Sequence, residues 1–201
     1  MAAVILHPEA LDVGTFTADE VETARLRLRL FTPADFDPMC EITRDPEVTR
    51  YIGYGHTLSR EETLANIGRM MSAFRCRGYG RWAMEQRDTG KLIGYCGLSS
   101  GNPEMGIEIA YMLARAEWGK GQAFEAAQAA LRYGFETIGV DSIAGLTLHD
   151  NRRSRTVLER LGMKFICDAR YYNFSCVHYA LARADWRRDD GSYYRVHKAA
   201  K

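Results

Sequence analysis

The segment Glu117 to Ala127, EWGKGQAFEAA, constrains the fold more than any other stretch of this chain. A loop holding Gly119 and Gly121 runs directly into an alanine-rich helical pattern, and the stretch before it, Gly106 to Leu113 (GIEIAYML), alternates as a strand does. A loop of small residues that opens a helix presents unpaired backbone N–H groups at the positive end of the helix dipole, a setting that suits a phosphate. A tight turn before an ordinary helix would use the same residues, so the downstream sequence has to decide.

Spacing excludes two phosphate motifs. A dinucleotide fingerprint needs a small residue three positions beyond its second glycine, where this chain has Phe124. A P-loop needs Lys and then Ser or Thr after its last glycine, where Gln122 and Ala123 stand.

The rest of the chain supplies the frame. Residues 1–22 read as an extension without strong periodicity, after which Leu26, Leu28 and Leu30 alternate with Arg25, Arg27 and Arg29 as a half-buried strand. Thr32, Pro33 and Asp35 start a helix through about Arg44, and Asp45-Pro46 starts a shorter one. Ser59 and Glu62 form a capping box for a third helix, with Leu64, Ile67, Met71 and Phe74 on one face and Gly78 and Gly80 at its end. Arg81 to Arg87 and Lys91 to Ser99 form a hairpin around Asp88-Thr89-Gly90. A helix over about Gly121 to Ile138 turns Ala123, Ala127, Ala130, Leu131, Gly134, Phe135 and Ile138 inward. A strand near Val140 to Leu148, a helix over Asn151 to Leu161, and strands at Lys164 to Arg170 and Ser175 to Arg183 follow, before a loose polar tail over 187–201. The sum is an α+β domain with a mixed, mostly antiparallel sheet of about seven strands flanked by helices.

The sequence of 201 residues needs only one domain. A formal charge of +1 gives no global pull toward nucleic acid or an anionic membrane, and no direct binding to either is expected. Five scattered cysteines without a C-x-x-C pair argue against a disulfide framework or a zinc site and for a reducing, cytoplasmic compartment. No metal constellation is present in the sequence.

The order of strand, x-x-G-x-G loop, helix, strand, Asn-x-x-Ser helix and Gly-containing strand resembles the GNAT acyltransferases. TARLRLR (Thr23 to Arg29), GIEIAYML, WGKGQAFEA and N-RR-S-RTVLERLGMKF resemble its RimJ/RimL-like branch, over residues 23–186. Trp118 stands where the superfamily often has Gln or Arg, and Met163 where Phe often follows the glycine.

The resemblance implies acetyl-CoA as donor and a primary amine as acceptor, either a protein N-terminus of the ribosomal-protein type or a small molecule such as a polyamine, aminoglycoside or amino-acid-like compound. A non-catalytic CoA-binding module is the alternative. The pyrophosphate would meet Trp118, Gly119, Lys120, Gly121, Gln122 and Ala123, and unpaired backbone groups at Met112, Leu113 and Ala114 would hold the pantetheine arm. Asn151 and Ser154 would bond the pantetheine and phosphate region, and Arg152, Arg153 or Arg155 a ribose phosphate.

Among the titratable groups, Glu108 is the first choice for proton acceptor because strand alternation sets it opposite Ile107 and Ile109; Glu85 and Glu104 are reserves. Many relatives carry a Tyr seven residues after the Asn as general acid, but Leu158 occupies that place, and Tyr111, Ser154 or His149 would have to substitute. His56, in the loop Tyr51 to Thr57, would line the acceptor pocket. The sequence sets neither the acyl chain length nor the oligomeric state, and leaves a homodimer open.

Overall fold

The computed structural model describes residues 18–52, 55–100, 106–171 and 174–199. Glu104 and His7 lie outside these residues, as do two positions of the loop expected to line the acceptor pocket.

The alternation in LRLR is realised in β2 (Leu26–Arg29), where Leu26 and Leu28 are fully buried while the arginines take carboxylate partners. Arg29 is clamped in two bonds to Asp35 (2.7 and 2.8 Å) and in a third to Glu85 (2.6 Å). β2 pairs with β1 (Glu20–Thr23), which starts inside the segment read as an extension, and Arg25 sits in the turn between them rather than on the strand. A 3-10 turn, Pro33–Asp35, leads into α1 (Phe36–Thr43), and α2 (Pro46–Thr49) follows with Asp45 accepting from the Glu47 N–H. The Ser59/Glu62 capping box opens α3 (Arg60–Arg77) with reciprocal bonds of 3.1 and 2.8 Å, and Gly78 ends it in the left-handed region that favours glycine.

The central hairpin is β3 (Arg81–Gln86) and β4 (Leu92–Ser99), followed by β5 (Glu108–Leu113) and a 3-10 turn, Arg115–Glu117. Then come α4 (Gln122–Tyr133), a π-helical turn (Gly134–Ile138), β6 (Ser142–Leu148) and α5 (Arg152–Arg160). β7 (Lys164–Tyr171), β8 (Phe174–Ala182) and β9 (Tyr194–His197) complete the order. The sheet runs β7-β8-β6-β5-β4-β3-β2-β1-β9, antiparallel throughout except for β5 beside β6. No helix among the described residues is long and apolar enough to cross a membrane.

Among the described residues nine strands replace the expected seven or so, because β1 and β9 join the sheet. β9 pairs with β1 over four residues, so the tail expected to be loose is tied down here, and Asp19 accepts from Lys198 Nζ (2.7 Å) and the Ala199 N–H (3.0 Å). The helix expected over 121–138 is α-helical only to Tyr133. At Gly134, where it changes to the π turn, a Cβ would sit 2.8 Å from Ile143 Cδ1, so glycine permits the closest approach of helix and sheet.

Each face of the sheet carries its own core. α4 packs Ala126, Ala127 and Ala130 against Trp82, Leu98, Ile109 and Leu113, small residues allowing close contact. On the other face α1 and α3 pack Met39, Ile67 and Met70 against Ala83, Tyr95 and Met112. β5 therefore turns Ile109, Tyr111 and Leu113 toward α4, and Glu108, Ala110 and Met112 toward α3.

Candidate active site

The site begins where the sheet opens. β5 and β6 share one register pair, Glu108 with Ala144, next to a bond from the Ala144 N–H to the Ile107 carbonyl (2.8 Å). Beyond it β5 stays on β4 as far as Leu113, whereas β6 follows β8 over seven pairs, so the two strands diverge into a gap. The Ala114 N–H is donated to the Ile93 carbonyl (2.8 Å), and ladder alternation turns Met112 toward β4 as well. Of the three residues expected to offer backbone groups to a ligand arm, only Leu113 faces the gap, joined there by Tyr111. The Leu113 carbonyl accepts from Trp118 Nε1 (2.9 Å), leaving its N–H as the group turned to the gap.

The glycine turn lies at the gap's mouth. Gly119 and Gly121 both have φ +78°, a conformation in which a side chain is strained, and Gly121 is the N-cap of α4. The turn is braced from the β1–β2 turn: Arg25 donates Nη1 to the Lys120 carbonyl (2.8 Å) and Nε to Glu125 Oε2 (2.6 Å), while its N–H donates to Glu125 Oε1 (2.9 Å). All peptide bonds described are trans, so a Lys120 carbonyl drawn toward Arg25 aims the Gly121 N–H the opposite way. Lys120 does not lend its charge as expected, because its ammonium folds back 2.9 Å from Glu117, which also accepts from Gln86 (3.0 Å). Glu117 is only 5% exposed, and these donors compensate its burial. Gln122, also 5% exposed, leaves its Oε1 without a hydrogen-bond partner among the described residues.

The opposite wall is α5. Asn151 is its N-cap, accepting through Oδ1 from the Ser154 N–H (3.2 Å), and the Ser154 hydroxyl lies 2.9 Å from the Tyr111 hydroxyl across the gap. Burial pushes the Tyr111 phenol well above its ordinary value, more than the Ser154 bond lowers it, so it stays protonated. Arg155 points elsewhere, donating to the Tyr179 hydroxyl (3.2 Å) and the His149 carbonyl (3.5 Å). The arginines at the cleft are instead Arg153, 4.6 Å over the Trp118 ring, and Arg160, 4.4 Å over Phe124. Leu158 is 2% exposed, lies against Gly145 and forms part of the apolar lining of the cavity beside Glu108.

Two cavities of about 370 Å³ each meet at Tyr51, Ile52, Tyr111, Asn151 and Ser154. The first runs over the glycine turn, with Gln122, Ala123, Arg153 and Arg160 along it. The second is lined by Glu108, Arg81, Tyr95 and Asn66 and by the apolar Leu146 and Leu148. Burial raises the Glu108 pKa, against the lowering effects of Arg81 and Ser99. Glu85 is held by Arg29 and lines neither cavity, and His149 is exposed near Asp168. A wider cleft of about 1050 Å³ between α1 and Ala114–Ala116 does not reach Glu108, Tyr111 or the glycine turn.

Unstrained glycines at a helix start, an unpartnered buried amide oxygen and two arginines along one cleft suit a phosphate-bearing ligand with an amide-containing arm. With a strand gap behind it and a half-buried carboxylate beyond, the arrangement defines an acyl-CoA-dependent N-acyltransferase. The chain belongs to the acetyltransferase (GNAT) domain family, whose model matches residues 25–164.

Relatives agree. The uncharacterized N-acetyltransferase YoaA of Bacillus subtilis is 30% identical over 145 residues, 72% of this chain and 82% of YoaA. An acetyltransferase from Agrobacterium tumefaciens aligns with TM-score 0.73 at 26% identity, covering 83% of this chain and 95% of that one. The ribosomal-protein-S5-alanine acetyltransferase from Vibrio fischeri shares the fold, with TM-score 0.68 at 16% identity over 84% of this chain and 99% of that one.

Proposed function

We propose that this protein is a RimJ/RimL-like N-acetyltransferase that moves an acetyl group from acetyl-CoA directly to a primary amine bound beside Glu108. The observation that carries this reading is the gap between β5 and β6, which joins the glycine-turn cleft to the Glu108 cavity. Acetyl-CoA supplies an activated thioester; the chain supplies position and proton transfer. The N–H groups from Gly119 to Ala123 receive the pyrophosphate, with Arg153 and Arg160 in reach of further phosphate charge. The Leu113 N–H and the Asn151 and Ser154 side chains serve the arm within the gap.

Glu108 accepts the proton the amine loses, and its raised pKa makes it a better base than an exposed carboxylate. Tyr111, protonated and held by Ser154, is the donor positioned for the departing sulfur. A thiol with a pKa near the cysteine reference of about 8.5 asks little of that donor, which fits the absence of a tyrosine at Leu158. Protein N-terminal amines are the acceptors the branch resemblance suggests, and small-molecule amines, amino-acid-like compounds among them, are the alternative. The free cysteines fit a cytoplasmic setting.

The test is acetyl-CoA-dependent thiol release over a panel of N-terminal peptides, diamines, aminoglycosides and free amino acids, beside calorimetric binding of acetyl-CoA. Binding with turnover on at least one amine supports the reading; binding without turnover on any makes the protein a CoA-binding module.

A further inference from the structure

The Glu108 cavity contains charge of both signs on one face of the sheet. Arg81 on β3 pairs in register with Gly97 on β4, and Ser99, two residues further along β4, pairs with Glu108 on β5. All four positions face α3. With no side chain at Gly97, the Arg81 chain can cross β4 toward β5, and among the described residues the groups that hold it there are neutral: Nη2 donates to the Ser99 hydroxyl (2.7 Å), and the guanidinium lies 5.7 Å over the Tyr95 ring. Arg29 in the neighbouring strand shows the contrast, since two carboxylates neutralise it. Arg81 and Glu108 form no direct ion pair among the described residues, although the Arg81 charge partly offsets the effect of burial on Glu108. Asn66 on α3 completes the wall; its Oδ1 already accepts from Arg69 (3.1 Å), so the group it presents is its NH2.

An amine with no other charge would need only the carboxylate. A cavity of about 370 Å³ that offers an acid at one point, and a guanidinium and an amide NH2 at another, matches a compact molecule carrying a cation and an anion a few bonds apart. Leu146, Leu148 and Tyr51 leave an apolar wall for the remainder. We infer that the acceptor is a free α-amino acid with an aliphatic or aromatic side chain, its ammonium at Glu108 and its carboxylate at Arg81 and Asn66. This rests on the acetyltransferase reading above. In the transfer the ammonium first gives one proton to Glu108, the freed amine nitrogen bonds to the acyl carbon, the carbon–sulfur bond breaks, and the second proton the nitrogen loses on becoming an amide passes to the departing sulfur, directly or through the Tyr111 hydroxyl, which takes it up as it gives its own.

The decisive experiment compares kcat/KM for free L-amino acids, the same amino acids as C-terminal amides, simple monoamines, and peptides beginning with the same residue, with N-acetylated product measured by mass spectrometry. The inference predicts about 100-fold preference for the free acid over its amide, because the amide leaves the half-buried Arg81 without its anion. Arg81→Met should collapse that ratio through KM for the acid while acetyl-CoA still raises the melting temperature, and Arg81→Lys should recover part of it. Amides or peptides accepted as well as the free acids would overturn the inference and leave the acetyltransferase reading standing, as would an Arg81→Met ratio equal to wild type. Turnover on no amine at all would overturn both.

Discussion

The two halves of the site are built by different means. The half proposed for the donor is lined mainly by two short segments, Leu113 to Phe124 and Asn151 to Arg160, and would work largely through backbone groups whose direction is set by Gly119, Gly121 and the Asn151 cap. The half proposed for the acceptor draws most of its side chains from α3, β3, β4, β5, β6 and β8, the strand residues being brought together by register. A backbone cradle tolerates change at most of its side chains and fails when its conformation is blocked. A side-chain cavity is redefined by single substitutions. The halves meet at Tyr51, Ile52, Asn151 and the hydrogen-bonded pair Tyr111 and Ser154, which belong to both.

That contrast breaks hardest at Gly121. Gly121→Glu places a charged side chain at φ +78° in the phosphate cradle, and should weaken acetyl-CoA by more than about 100-fold in calorimetry, abolishing the ligand-induced rise in melting temperature. An undiminished rise would remove the glycine turn from donor binding. Tyr111→Phe removes the hydroxyl shared by both halves; kcat should fall about tenfold, less than for a strongly required acid, with donor affinity held within about twofold. A kcat equal to wild type would leave Tyr111 without a chemical part.

Arg25→Gln tests whether the cradle is preorganised from outside the cleft. Losing a charge-assisted bond to the Lys120 carbonyl should weaken acetyl-CoA about fivefold while the acceptor KM stays unchanged, and Arg25→Lys should restore part of the affinity. Equal losses for donor and acceptor would mean a general structural defect instead.

The smallest effect is on stability. The Glu108 pKa is raised in the fold by burial, so the folded state favours its protonated form, and that contribution is present below the ordinary value of 4.5 and lost as pH rises through the folded value. Glu108→Gln should therefore melt higher than wild type at neutral pH, with the difference closing as pH falls through the raised folded value and gone below 4.5. A variant less stable at pH 7 would contradict the burial of this charge.

The same contrast explains what could be read in the chain. The glycine turn at Gly119 and Gly121 and the helix start at Asn151 and Ser154 were legible as local structure because each motif's conformation follows from neighbours within a turn. Arg155 was misassigned through helical phase: with Asn151 as cap, the cleft-facing stripe is Arg153, Thr156, Val157 and Arg160, spaced at three, four and seven, and Arg155 falls on the side of Tyr179. That stripe was available in the sequence. Met112 and Ala114 depended on which side of β5 pairs with β4, a parity no single strand discloses. Arg81 needed the register of three strands at once. β9 was hidden because YRVH is too short to announce a strand without β1 beside it, and the polar stretch before it masked its alternation.

The central claim is that the donor cleft and the Glu108 cavity are separate structures serving one transfer through the β5–β6 gap. It is tested most directly by measuring, on one preparation of Glu108→Gln, both acetyl-CoA affinity and the rate of amine acetylation at saturating donor. The account predicts a donor Kd within about twofold of wild type and a turnover lower by about 100-fold or more. Turnover that survives the substitution, or donor affinity lost along with it, would contradict the division of the site at the gap.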